Sequence, residues 1–177
     1  MRVGGAGQPG VRGWPGASVQ VAVRQESMPA EADSEILEFA ISRELEAYNF
    51  YKALADRVAG EHMRRIFEDL AEEELEHKAK LELEILKLGR TLPEPGKLEP
   101  PAHEYIVSDS DAALEMDYRD MLLLGMEKEE ASFRTYVGLI PQTTDESSRE
   151  VLLALAEEEV RHKLRFEKEY QSLERHK

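Results

Sequence analysis

At 177 residues the chain is long enough for one well-buried core, and it reads as a single folded domain, residues 31–177, behind an N-terminal extension, residues 1–30. The net charge of −14 argues against nucleic acid and membrane surfaces as partners and raises the local concentration of cations. Without Cys there is no disulfide, thiolate nucleophile or Cys-bound metal, and no apolar run approaches the ~20 residues of a membrane span, so a soluble protein is expected. In chain order, residues 1–25 come first: they hold Gly4, Gly5, Gly7, Pro9, Gly10, Gly13, Pro15 and Gly16, no acidic residue and no periodicity, and disorder is expected there. Arg2 is not followed by the apolar core of a secretory signal, which leaves the cytoplasm as the default location. Met28 is a candidate for the natural start of the chain.

Beyond residue 30 the composition, 34% charged and 41% hydrophobic, favours long amphipathic helices. The first is expected from an N-cap at Ser34 to Ala59, ended by a left-handed Gly60, with Leu37, Ala40, Ile41, Glu44, Tyr48, Tyr51 and Leu54 on its buried stripe. The second runs from Glu61 to Leu88 with Gly89 behind it, and turns Ile66, Phe67, Leu70, Glu74, His77, Leu81 and Ile85 inward. The third is expected from Asp111 to Ile140, capped by Ser110 and stopped by Pro141, with Leu122, Gly125, Met126, Glu129, Phe133 and Tyr136 inside. The fourth begins near Asp145 to Ser147, where Ser147 and Glu150 suit a capping box, and runs towards Leu173 with Leu152, Leu155, Glu159, His162 and Phe166 inward.

The connections at Gly60 and at Pro141–Thr144 are short and make two antiparallel hairpins. Between them lie about twenty residues, Gly89 to Asp109, rich in Pro. Such a stretch can travel the ~40 Å length of a bundle, because twenty extended residues reach ~65 Å. Two hairpins joined by one long crossover form the all-α, ferritin-like four-helix bundle.

One phrase occurs twice, 85 residues apart: Leu70-Ala71-Glu72-Glu73-Glu74 leading to His77, and Leu155-Ala156-Glu157-Glu158-Glu159 leading to His162. A Glu and a His three apart share one helix face and direct a carboxylate and an imidazole to one point. The same offset pairs Glu44 with Glu129 and Tyr51 with Tyr136. Four carboxylates in an apolar core repel one another and lose hydration, a cost of several kcal/mol per ion that two divalent cations offset. Carboxylate with imidazole suits iron or manganese, whereas Mg2+ keeps its waters and zinc usually takes four ligands. The candidate metal ligands are therefore Glu44, Glu74, His77, Glu129, Glu159 and His162. Tyr51 and Tyr136 either hydrogen-bond ligand carboxylates or serve as core aromatics. Glu72, Glu73, Glu76, Glu157 and Glu158 read as solvated, and His62, His103 and His176 as surface residues.

A Glu from each of two helices with Glu-x-x-His from the other two matches the ferritin-like di-metal pattern. More narrowly, Ala40-Ile41-Ser42-Arg43-Glu44 through Phe50-Tyr51, followed by Phe67 and Leu70 to Glu74, resembles the rubrerythrin family over about residues 34–174. The resemblance implies two iron ions, bridged by Glu74 and Glu159, with Glu44 and Glu129 terminal and one His on each metal. It implies a di-iron oxidoreductase using O2 or H2O2 with an external electron donor or Fe2+ as reductant. The chain departs from that family in two ways: it has no Cys for a rubredoxin-like module, and Ser132 stands where a further Glu is usual, three residues beyond Glu129. Its first-helix equivalent, Ala47, does not restore that ligand, which leaves the six-ligand pattern and puts peroxide reduction in doubt. A ferritin-like iron store with ferroxidase activity and a metal-free helical scaffold are the competing readings. A homodimer is expected from the apolar Leu123-Leu124 beside the inner stripe.

Overall fold

The computed structural model describes residues 29–94 and 117–175, and the expectations for residues 1–28, for most of the crossover, and for Ser110, His103 and His176 lie outside them. Four long helices make up the described chain: α1 (Pro29–Arg57), α2 (Glu61–Lys87), α3 (Tyr118–Leu139) and α4 (Glu146–Arg175). There is no strand among the described residues. No helix among them is long and apolar enough to cross a membrane.

The helix ends depart from expectation for local reasons. Among the described residues α1 starts at Pro29 rather than Ser34, and the buried Asp33 lies inside it without capping it. Its carboxylate accepts instead from the N–H groups of Thr144 and Asp145 at 2.7 and 2.9 Å and from the Thr144 hydroxyl at 2.8 Å. Ser34, inside the helix, donates to Glu38. Gly60 is not left-handed: at φ −89° and ψ 130° it is extended and forms the N-cap of α2. Gly89 has the left-handed φ of 72°, and the Gly89 and Arg90 N–H groups close on the carbonyls of Leu86 and Ile85. Among the described residues α3 begins at Tyr118, with Asp117 as its cap accepting from the Asp120 N–H, and the expected start at Asp111 lies outside them. It passes into a 3-10 turn, Ile140–Gln142, that accommodates Pro141. At α4 the cap expected of Ser147 belongs to Asp145, whose Oδ2 accepts from both the N–H and the hydroxyl of Ser148.

The core has two apolar layers. In one, Tyr51 and Leu54 of α1 meet Phe67 and Leu70 of α2, Leu122 of α3 and Phe166 of α4. In the other, Leu37 and Ile41 meet Leu81 and Ile85, Tyr136 and Leu139, and Leu152 and Leu155. The late part of α1 and the early part of α2 thus share a layer with the start of α3 and the end of α4. That arrangement makes α2 and α3 parallel, so the end of α2 and the start of α3 lie at opposite ends of the bundle, as the two-hairpin reading requires. Between the two layers lies a band of buried carboxylates and imidazoles.

Candidate metal centre

Each helix contributes to that band from its apolar stripe. Glu44, Glu74, Glu129 and Glu159 are 1–2% exposed, His77 1% and His162 4%, so all six predicted ligand residues are removed from water. They converge in two overlapping groups, Glu44, Glu74, His77 and Glu159 in one and Glu74, Glu129, Glu159 and His162 in the other, with the donor atoms of each group within 4.8 Å of one another. Glu74 and Glu159 belong to both. Nδ1 of His77 lies 3.1 Å from Glu74, 3.3 Å from Glu44 and 3.3 Å from Glu159. Nδ1 of His162 lies 3.5 Å from Glu129 and 3.7 Å from Glu74. The two imidazoles stack with centroids 5.4 Å apart and planes 6° from parallel.

The outer ring nitrogens are held from across the bundle. Nε2 of His77 is 2.7 Å from Glu158 on α4, and Nε2 of His162 is 2.9 Å from Glu73 on α2. Lys80 donates to Glu158 and Arg165 to Glu73, which links each pair to the surface. These two glutamates were read as solvated, and the structure corrects that reading: both are part-buried partners of the histidines. With a proton on Nε2 shared with the carboxylate, Nδ1 of each ring presents its lone pair to the centre. Tyr51 donates to Glu129 Oε1 as one sequence reading expected. Tyr136 is as buried, but its hydroxyl has no hydrogen-bond partner, so it is a core aromatic. His62, 77% exposed, is a surface residue as expected. Ser132, in place of the further Glu, accepts from Lys128 at 3.1 Å.

The electrostatics are those of a site built for cations. Burial, with the charge of Glu74, pushes Glu44 well above the usual carboxylate range, and burial with Glu74 and Glu129 does the same to Glu159. Glu74 is also raised by burial, but the nearness of His77, 3.1 Å away, and of Glu44 outweighs this and leaves it at about 2. Burial lowers His162, yet Glu129 and Glu73 lift it to about 10, and His77 is raised in the same way by Glu159, Glu44 and Glu74. Glu44 Oε2, Glu74 Oε1, Glu129 Oε2, both Glu159 oxygens and both Nδ1 atoms are buried with no hydrogen-bond partner. Orphaned atoms of this kind are costly, and a pair of cations satisfies them together. The residues therefore fit two metal ions, each with three carboxylates and one imidazole, two of the carboxylates being common to both.

Comparison with known proteins agrees with this geometry. The sequence model of the Rubrerythrin family matches residues 35–170. Among solved structures, a hypothetical protein from Pyrococcus furiosus is similar at 26% identity with a TM-score of 0.58, over 82% of this chain and 95% of that one. No curated protein matches the chain at a significant level.

Proposed function

The chain belongs to the rubrerythrin family, and we propose that it is a non-haem di-iron oxidoreductase whose Glu4His2 site reacts with O2 or H2O2. The observation that carries the reading is the sharing of Glu74 and Glu159 between the two ligand groups, which suits a pair of ions bridged by two carboxylates. Glu44 and Glu129 would then be terminal carboxylates, and His77 and His162 would each hold one metal through Nδ1. Two 2+ ions against four carboxylates make a neutral reduced site, and manganese is the other metal that this donor set suits. When bound, the iron pair supplies the two electrons that reduce the oxidant. The protein's own part is to keep water out with the two apolar layers, to fix both imidazoles through Glu158 and Glu73, and to orient Glu129 through the Tyr51 hydroxyl.

The chain has no Cys and so no rubredoxin-type iron, and in this reading electrons come from a diffusible donor or from Fe2+ itself. Ser132 in place of a seventh ligand favours a second reading, a ferroxidase serving iron storage. The same proposal has the protein working in the cytoplasm as a homodimer. The exposed Leu123, Val137, Leu153, Val160 and Leu164 of the α3/α4 hairpin support the dimer, and its mass in solution checks it.

Metal content per chain on protein purified without chelators tests the centre. About two irons or manganeses in the wild type and nearly none in the Glu74→Ala, Glu159→Ala double variant are expected. No redox metal after anaerobic Fe2+ reconstitution would leave the metal-free scaffold. Fe2+ titration in air then separates the remaining readings, since uptake that stops near two with turnover of a donor marks an enzyme and uptake well beyond two marks a store.

A further inference from the structure

The two apolar layers differ in kind. The layer at the Tyr118 end of the bundle is rich in rings, with Tyr51, Phe67 and Phe166 buried in it and Tyr118 packed against it. Among the described residues the other layer has one buried aromatic side chain, Tyr136, in an otherwise aliphatic set. The 85-residue offset makes the two halves a control for packing, because it sets Phe67 against Leu152, Phe166 against Leu81 and Tyr118 against Asp33. Aliphatic side chains suffice for a core at the first two of these places, so packing alone does not call for a row of rings.

The row runs from the centre to the surface. Tyr51 donates to Glu129, one of the buried carboxylates, whereas Tyr136 at the matching position has a hydroxyl without a partner. The Tyr51 ring stacks on Phe67 with centroids 6.5 Å apart, and Phe67 meets Tyr118 edge-on at 6.1 Å. Phe166 lies 5.9 Å from Tyr51 and 6.0 Å from Phe67, a second bridge between the same two rings. Tyr118, the first residue of α3, is half-buried and brings the row to the surface. Its hydroxyl donates to Glu169 Oε1 at 3.3 Å, and the same oxygen lies 3.3 Å from Nε2 of the exposed His62. Burial and the Glu169 charge push the Tyr118 phenol up, so it keeps its proton until an electron leaves. A phenol that loses an electron becomes a strong acid, and Glu169 is placed to take that proton.

We propose that Tyr118 is the outer end of an electron relay that runs through Phe67 and Tyr51 to the metal centre, and that an external one-electron donor is oxidised there. This rests on the di-metal reading above. While H2O2 is reduced at the centre, Tyr118 gives one electron inward and its phenolic proton to Glu169, and becomes a neutral tyrosyl radical. The donor returns one electron and Glu169 the proton, which restores the phenol. Two such cycles, with two protons from solvent, convert one H2O2 to two waters and leave two donor molecules each oxidised by one electron. The relay answers a need of this chain, which has no Cys for a rubredoxin-type iron and whose apolar layers keep a donor molecule away from the buried band.

Full-length protein is loaded with Fe2+ without air, its metal content is measured, and it is mixed with excess H2O2 and freeze-quenched for electron paramagnetic resonance. Wild type is expected to give a tyrosyl signal that narrows when the protein carries ring-deuterated tyrosine. Tyr118→Phe keeps the ring and removes only the hydroxyl. It is expected to hold as much iron as wild type and to oxidise its Fe2+ with H2O2 at the same rate, but to lose the tyrosyl signal and most of the oxidation of tetramethyl-p-phenylenediamine, a one-electron dye. Glu169→Gln removes the proton acceptor and should slow dye oxidation ~10-fold or more. An iron-loaded wild type without a tyrosyl signal overturns the proposal, and so does a Tyr118→Phe protein with either the wild-type signal or wild-type dye oxidation. A Tyr118→Phe protein that loses iron or Fe2+ oxidation along with the signal marks a structural role and is equally fatal. A wild type that loads no iron defeats the di-metal reading itself and is recognised before peroxide is added.

Discussion

The two histidines differ from their neighbours in having both ring nitrogens committed, Nδ1 to the centre and Nε2 to a glutamate on the opposite helix. Losing the outer partner frees the ring to rotate and to change tautomer. Glu158→Ala is therefore expected to weaken metal binding by roughly 10–100-fold with little change in helix content, measured by competition with a chelator. Glu73→Ala should do the same at the other metal. Protonation makes a second prediction. His162, raised to about 10 by Glu129 and Glu73 against burial, carries a proton at pH 7 in the metal-free protein, His77 is raised in the same way, and burial makes Glu44 and Glu159 harder to ionise. A metal ligand must give its proton up, so loading at pH 7 releases protons and affinity rises with pH, which calorimetry in two buffers of different ionisation enthalpy reads directly. The six buried carboxylate and imidazole residues of the band were legible in the sequence because each breaks an apolar stripe and recurs at one offset. Glu73 and Glu158 recur at that offset too, but their contacts run between helices, and along one helix a glutamate beside a ligand looks like any solvated residue.

The bundle's two hairpins are joined by specific contacts at the level of whole helices. Asp33 on α1 accepts three hydrogen bonds from Thr144 and Asp145, at the turn between α3 and α4. Asp33→Ala leaves those donors unpaired, and a loss of about 1–3 kcal/mol is expected, seen as a lower Tm. The bonds span more than a hundred residues, so nothing in the local pattern around Asp33 predicts that it serves another helix, and the early start of α1 was missed with it. A second contact separates the repeated halves. Gly125 packs so closely on Phe166 that an added Cβ would lie 2.8 Å from the ring, while the positions 85 residues earlier are Ala40 and Leu81. One half uses a small residue against a large one and the other a balanced pair. Gly125→Ala should destabilise by about 1–3 kcal/mol, and Phe166→Leu in the same chain should recover part of that loss, a non-additivity that a double-mutant cycle measures.

At the scale of the molecule the repeat and the two hairpins were evident from apolar spacing, because amphipathic helices of this length have few other ways to bury their stripes. What spacing cannot show is how unfavourable the middle band is to the fold. Glu44 makes this measurable. Its folded pKa lies well above that of an unfolded Glu, so the folded state is penalised as pH rises past about 4.5, where the unfolded group ionises freely and the buried one does not. Glu44→Gln removes the titrating group. In metal-free protein at pH 7 it should raise Tm, and the gain should vanish below about pH 4, where Glu44 is protonated in both states. With metal present the sign reverses. A neutral amide is a poorer ligand, and each tenfold loss of metal affinity removes about 1.4 kcal/mol of linked stability. Melting curves of wild type and Glu44→Gln, with and without chelator, thus form a four-way comparison. A variant more stable than wild type without metal and less stable with it is the behaviour of a core whose polar band is strained alone and relaxed around cations. A variant that ranks the same way in both conditions would mean that the band is stable in itself, and the case for a metal centre would lose its energetic basis.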